Sequence, residues 1–408
     1  MSELYELPDG WEWKKLKDIF TVKDGTHDSP KYISENGYPL FTSKNLKKNG
    51  LDKSNYKLIN EEDFNKINQR SKVDKGDLLF AMIGTIGNPT LIDYEPNFAI
   101  KNVALFKPLD VECSIEILRY YFLSGTVINK MLSEAKGATQ KFVGLTYLRN
   151  FPFPKIPLQE QKRIVAKLDT LFEKIDKSIA LHQKNMDEAD VFMGSVLNDV
   201  FGELEEKYEK YLLSNYCHIT SSKRVYKSDY VDDGVLFYRI KDIVLMSKGL
   251  PIRDSQYIKK EAFDIFNEKF GSPKSGDILL TAVGATLGYT YLVTDDDEEF
   301  YFKDGNLLWL KNIHSLDRKY LLHIFKSPLF DNYLNEISKG AAQPAITIIK
   351  LKEFKIPIPP LNIQQKTVIY LDSISQKIEK IKSVQKEKME SLVALKASIL
   401  DQSFRGEL

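Results

Sequence analysis

Hydrophobic spacing divides this chain into two kinds of sequence. From Leu158 onward apolar residues fall at alternating four- and three-residue steps: Ile164, Leu168, Leu171, Ile175, then Ala189, Phe192, Val196. From Leu361 the same spacing returns as Leu371, Ile374, Ile378, Ile381, then Leu392, Leu395, Ile399. This is the spacing of a coiled-coil seam. Prolines precede each stretch (Pro152, Pro154 and Pro157, then Pro357, Pro359 and Pro360), and proline is tolerated at a helix start but not inside one. The pattern predicts two helices, each roughly 65 Å long at 1.5 Å per residue, with Gly202 and Gly406 as stops. The middle of each seam turns polar, at His182 and Asn185 and again at Gln385 and Lys388. In an antiparallel pair middle meets middle. Polar seam residues there set register, or else mark solvated packing.

Ahead of each helical stretch the pattern changes to short apolar runs bounded by glycine. Asp77 to Ile83 and Asp277 to Val283 read as buried strands, as do Val103 to Phe106 and Leu307 to Leu310. Ile115 to Ser124 and Tyr320 to Lys326 read as helices, and Ser327-Pro328 as the cap and first turn of another.

These resemblances between the two halves are an internal repeat. At an offset of 203 residues, Gly137, Ala138 and Gln140 meet Gly340, Ala341 and Gln343. Pro154, Pro157 and Leu158 meet Pro357, Pro360 and Leu361; Gln161, Leu168 and Asp169 meet Gln364, Leu371 and Asp372. The register holds to Phe201 and Phe404. Earlier stretches match more loosely, Gly76-Asp77-Leu78-Leu79 with Gly276-Asp277-Ile278-Leu279 among them. The predicted architecture is a pair of α/β (α+β) globular domains, separated by two long antiparallel coiled-coil helices in a pseudo-twofold repeat. Its segments are 1–155, 156–202, 203–355 and 356–408.

Composition narrows the class. The chain has 408 residues, 43% hydrophobic and 28% charged, which suits a soluble globular protein with several cores. No run of 18 apolar residues offers a membrane span, and Met1 to Lys15 has no apolar core of the signal-peptide kind. Cys113 and Cys217 cannot build a disulfide framework, which fits a reducing cytoplasm. Net charge is +1; residues 1–155 carry 22 basic and 20 acidic side chains, residues 202–355 carry 22 and 23. That is weak charge for a tight DNA binder acting alone, since affinity rests largely on phosphate neutralisation. The acidic run Asp295 to Glu299 is expected to face solvent.

Several motifs together resemble a known family. They are LPDGWEWKKLKDI (Leu7 to Ile19), KDGTHDSP (Lys23 to Pro30) and KGATQKFVGLTYLRNFPFP (Lys136 to Pro154). PLQEQKRIVAKLDTLFEKID (Pro157 to Asp176), its second copy IPIPPLNIQQKTVIYLD (Ile356 to Asp372) and FRGEL (Phe404 to Leu408) complete them. Over its whole length the chain resembles the specificity subunits of type I restriction–modification systems. The resemblance implies a non-catalytic subunit with two target recognition domains, reading a split, asymmetric site on double-stranded DNA. It implies two methyltransferase subunits as partners, with restriction subunits in the full complex. S-adenosylmethionine, ATP and Mg then belong to those partners.

The residues agree. Methyl transfer to a flipped base needs a pocket such as Asn-Pro-Pro-Tyr, and the nearest stretch, Asn88-Pro89-Thr90, lacks the second proline and the aromatic. No Gly-x-x-x-x-Gly-Lys-Ser/Thr loop occurs, and the five histidines are scattered without metal spacing. Two readings from other classes remain. A protein-binding coiled-coil scaffold predicts no salt-dependent retention of DNA. A self-contained restriction enzyme predicts methyl transfer by the chain alone.

Base edges are read by donors and acceptors on rigid exposed loops, Arg and Lys suiting guanine, Asn and Gln adenine. Four places offer such groups. The first holds Thr26 and His27, matched by Ser221, Ser222, Lys223 and Arg224. The second is Ser43, Lys44 and Asn45 against Arg239, Lys241 and Asp242. Thr85 and Thr286 lie in glycine-rich turns that allow close approach to phosphate. Gln140 and Lys141 are matched by Gln343; because the glutamine recurs, it suits a shared phosphate or scaffold contact. A solvated turn or strand end is the alternative at each place. From the resemblance, Gln161, Arg163, Gln364 and Lys366, in the first turns of the long helices, are expected to meet the methyltransferase subunits.

Overall fold

A computed structural model describes residues 4–109, 112–137, 140–303, 305–339 and 344–408. The chain forms two compact units, residues 1–183 with 386–408, and residues 184–385.

In the first unit the strands Phe20–Asp24, Val103–Pro108, Leu78–Ala81 and Gly87–Leu91 form an antiparallel sheet in that order. Leu78–Ala81 is apolar throughout because both faces of the sheet are covered. One face, with Phe20, Val22, Phe80, Ala104 and Phe106, packs on the helices Ile115–Leu123 and Gly125–Glu134. The other, with Leu79, Ala81, Val103 and Leu105, packs on Phe41, Phe98 and Ile100 from a second sheet. That second sheet orders Ala99–Lys101, Tyr38–Thr42, Lys57–Ile59 and Tyr32–Ile33, the first pair parallel.

The second unit repeats this plan. One sheet orders His218–Thr220, Leu307–Lys311, Ile278–Thr281 and Thr290–Leu292; the other orders Tyr230–Val231, Tyr257–Ile258, Val235–Tyr238 and Phe300–Phe302. The anticipated helices are present as Arg318–Phe325 and Pro328–Ile337, the latter with Ser327 at its cap and proline in its first turn. In each unit the proline-rich stretch forms an edge strand, where a missing N–H is tolerated. Pro152–Lys155 pairs with Glu12–Lys15, and Lys355–Pro357 with Lys210–Leu212. The start of each front is thereby tied to the residues that lead into a long helix.

The long helices are Leu158–Lys207 and Leu361–Ser403. Gly202 does not stop the first. Helix runs on because Phe201 and Leu204 are both buried in the second unit's core, which outweighs the roughly 1 kcal/mol that glycine costs in a helix. Gly406, at φ +74°, does lie just past the second helix, against Pro8. Within each unit the two helical segments run antiparallel: Lys396 pairs with Asp176 in the first, Lys382 with Asp190 in the second.

The seam differs from the spacing at three places. Phe192, Ile381 and Leu395 are about half exposed, and Met193, Lys382 and Lys396 take the inward positions beside them. A helix turns every 3.6 residues, so a strict 3.5-residue count drifts off the buried stripe. Among the polar middle residues, Asn185 and Lys388 point outward, whereas His182 and Gln385 are half-buried.

Candidate nucleic-acid interface

In the first unit, four sequence stretches converge. The Phe20–Asp24 strand ends at a buried aspartate, and Gly25 follows. A Cβ at Gly25 would lie 2.2 Å from the Ile100 carbonyl oxygen, so only glycine lets the loop cross here. The crossing is stitched by backbone bonds from Gly25 N to Val103 O (2.9 Å), Thr26 N to Ile100 O (3.0 Å) and Asn102 N to Thr26 O (3.1 Å). Asn102 takes the left-handed conformation, φ +55°, one that asparagine adopts more readily than most residues.

Two polar side chains gather on the buried Asp24 carboxylate. Its Oδ2 is hydrogen-bonded to His27 Nε2 at 2.8 Å, and its Oδ1 accepts from the guanidinium of Arg70, in the last turn of the Glu61–Ser71 helix. The other ring nitrogen of His27 lies 2.7 Å from Asn102 Oδ1. Ser43 Oγ donates to the Asn102 carbonyl at 2.6 Å and accepts from Met82 N at 3.3 Å, joining the second expected place to the first. Gly84 N donates to Lys141 O and Val143 N to Met82 O, each at 3.0 Å, joining the glycine turn of Thr85 to the Gln140–Lys141 stretch. Between these segments opens a cavity of about 430 Å³, with Asp24, His27 and Asn102 facing Met82, Ile83 and Phe142.

Thr85, Gln140, Lys141, Lys44 and His27 are exposed, and Thr26 is half-buried. Ser43 and Asn45 are buried, contrary to their expected exposure. Asn45 Oδ1 accepts from Thr42 N at 3.0 Å, and its amide donates to the carbonyls of Asp52 and Asn55. It closes a turn, the work of a residue three positions after a helix cap.

The second unit follows the same frame with other groups. Asp242, like Asn45, is buried and accepts from the backbone N–H three residues earlier, Arg239 N, at 2.8 Å. The Arg239 guanidinium donates to the same carboxylate and to the Asp254 carbonyl, and Asp242 raises its already high pKa. Arg239 is therefore largely committed within the unit. Lys241 stays exposed and pairs with Asp254 at 3.1 Å. Ser221 Oγ donates to Leu307 O at 2.7 Å, and Ser222 is buried rather than exposed on a loop. Lys223 and Arg224 are exposed, lying over the rings of Phe270 and Tyr226. Thr286 is half-buried. Gly284 N donates to Pro344 O and Ile346 N to Ala282 O, repeating the first unit's link between glycine turn and following stretch. Ala138, Thr139 and Gln343 lie outside the described residues.

The helix-entry residues divide in two. Arg163 and Lys366 are exposed, Arg163 donating to Glu160 and to the Leu408 carbonyl. Gln161 and Gln364 are buried, so neither side chain stands on an open helix face. Each caps the neighbouring domain instead. Sequence reasoning also missed Arg70, Asp24 and Asn102. The positive φ of Asn102 leaves only an asparagine before a strand as a trace, and Arg70 leaves none. Missed too were apolar residues off the seam and open to solvent: Leu181 and Val191 on the first helix, Ile369, Tyr370 and Val393 on the second. Their signal is hydrophobicity out of step with the buried stripe.

Duplicated α/β domains on long helices, with different polar groups at matched places, define a recognition subunit. A family model described as the type I restriction modification DNA specificity domain matches residues 8–185 and 205–390, and the chain belongs to that family. It is a DNA-specificity subunit. It is 24% identical over 405 residues to the specificity subunit of the type I restriction enzyme MjaVIII of Methanocaldococcus jannaschii, covering 94% of this chain and 90% of that one. Among solved structures, its fold matches a chain from a study of complex assembly in a type I R-M system, with TM-score 0.73 and 23% identity over 99% and 100% of the two chains. It also matches the HsdS subunit of Thermoanaerobacter tengcongensis, with TM-score 0.54 and 23% identity over 99% of each chain. Among the described residues no helix is long and apolar enough to cross a membrane.

Proposed function

We propose that this chain reads a bipartite, asymmetric DNA site in the cytoplasm, residues 1–155 reading one half-site and residues 203–355 the other. In this reading it directs two methyltransferase subunits to adenine N6 and joins restriction subunits in the full complex. The observation that carries it is a common frame with changed chemistry. The two units share backbone links and turn caps, yet Asp24, Thr26 and His27 in one stand where the other has Ser221, Lys223 and Arg224. Differing identity on one frame is what two half-site readers require. The near-neutral charge of each front leaves phosphate neutralisation to the partners. Exposed residues of the long helices support a partner surface on each unit: Arg163 and Leu181 in the first, Phe192, Lys366 and Ile369 in the second.

The test is co-expression with the cognate methyltransferase subunit, followed by mapping of N6-methyladenine with long-read sequencing. A split motif with a fixed spacer is expected. Replacing residues 1–155 by the front of a relative should change one half of that motif. Methylation at one short continuous motif, or a change in both halves on the swap, overturns the bipartite reading. Absence of new methylation with both proteins soluble and associated favours a protein scaffold.

A further inference from the structure

We propose that Arg70 is a base-reading residue of the first unit, held in orientation by Asp24, and that it takes the O6/N7 edge of a guanine. This rests on the reading of residues 1–155 as a half-site reader.

The argument begins with the cost of Asp24. Its side chain is only 4% exposed. A carboxylate so placed is stable only when paired and hydrogen-bonded, and a buried ion pair often stabilises a fold no more than apolar packing would. The fold does not need it. Asp24 lies opposite Ala104 in its sheet. In the second unit Thr220 lies opposite Trp309, which sets the next residue, Ser221, at the matching place opposite Leu308. Ser221 holds the strand end with one bond to the Leu307 carbonyl. The first unit therefore carries a buried charge where a serine suffices.

What the carboxylate does is hold two donors. His27 lies on one oxygen and Arg70 on the other, and both side chains are more than half exposed. Among the described residues Asp24 is the single hydrogen-bond partner of the Arg70 guanidinium. It engages Nη2 only. Arginine has five N–H donors in a planar fork, so the donors that Asp24 leaves can meet a second partner in fixed geometry. The pair's net charge favours a base over a phosphate. Asp24 offsets the arginine's charge, which weakens counterion release, but leaves its directional donors in place, and those match guanine O6 and N7. The position agrees: Arg70 shares its anchor with His27, on the loop whose neighbours converge from the four stretches.

The test uses the full chain in complex with its methyltransferase subunits and compares wild type with Arg70→Lys, Arg70→Ala and Asp24→Asn. Methylation maps give each position of both half-sites, and binding across a salt series gives the phosphate count. Arg70→Ala is expected to lose about tenfold to a hundredfold discrimination at one guanine of one half-site, and Arg70→Lys, which keeps a donor but not the planar fork, a smaller part of it. The other half-site and the salt slope should stay as in wild type. Asp24→Asn should lose discrimination at that same guanine, less severely. Arg70→Lys keeps charge and length, so it separates lost base reading from a damaged fold. If Arg70→Ala weakens all sequences alike and lowers the salt slope by about one, Arg70 is a phosphate contact and the proposal falls. An unchanged motif in both Arg70 variants also overturns it while leaving the bipartite reading intact. A wild-type motif without two halves overturns both.

Discussion

Gln161 and Gln364, 203 positions apart, share two matching hydrogen bonds in their two units. Each side-chain carbonyl accepts, at 2.8 Å, from the backbone N–H of a helix-capping residue, Ser114 for one and Asp317 for the other. Each amide donates to a carbonyl in the proline-rich approach to the long helix, Ile156 at 2.7 Å and Pro359 at 2.9 Å. One side chain thus fixes the long helix to the recognition domain ahead of it. Replacing either glutamine by alanine leaves buried backbone groups unpaired, at about 1–3 kcal/mol each. The expected outcome is loss of stability confined to the variant's own unit, seen as faster amide exchange in residues 112–123 for Gln161→Ala and 315–325 for Gln364→Ala. Exchange unchanged in those segments would contradict the assignment.

Gly25 permits the loop crossing that assembles the first unit's polar cluster. Gly25→Ala places a methyl group against the Ile100 carbonyl, a clash with backbone that no rotamer relieves. The expected outcome is loss of half-site reading by the first unit, with the half-site of the second retained in the methylation map. A variant with both half-sites intact would show that the crossing has room the structure does not have.

Phe404 brings the end of the chain into the first unit. Its ring packs 5.3 Å from Tyr121 in an edge-on arrangement and is fully buried. Phe404→Ala should cost about 3–5 kcal/mol, as large-to-small changes at buried aromatics do. Exchange should accelerate around Tyr121 and leave the core around Phe201 and Tyr320 protected. Equal loosening of both cores would instead show that the units unfold as one.

How much of this is legible in the sequence depends on distance along the chain. The repeat, the central strands and the long helices are local patterns, and Gln161 and Gln364 stand out because both recur at one offset. Their role does not. A glutamine in the first helical turn looks like a surface group until the carbonyls around it are placed. Asn45 and Asp242 mislead for a related reason: polar residues that close turns are the same types that read bases. Phe192 reads as seam because a 3.5-residue count and a 3.6-residue helix separate over several turns. Arg70 is silent because its partner lies 46 residues away and only the packing of its helix against the Phe20–Asp24 strand brings them together.

Position 323 differs chemically from its counterpart in the first unit. Tyr120 donates to Asp169 there, and His323 Nε2 is hydrogen-bonded to Asp372 at 2.8 Å in the second unit. The other ring nitrogen of His323 is buried without a partner. Burial pushes the His323 pKa below its ordinary value, with Lys326 and Lys319 adding to the shift and Asp372 opposing it. The folded state therefore holds the ring neutral where the unfolded chain, with a pKa of about 6.5, takes up a proton. Below that pH the unfolded state binds more protons, so stability falls as pH drops, until the folded-state ring titrates as well. Tyr120 has no such transition: burial, then Asp169, push its pKa up and away from this range. His323→Tyr should therefore flatten the stability profile between about pH 6.5 and 5 in urea melts, with amide exchange assigning the change to the second unit. Parallel profiles for wild type and variant would show that His323 does not carry this pH dependence.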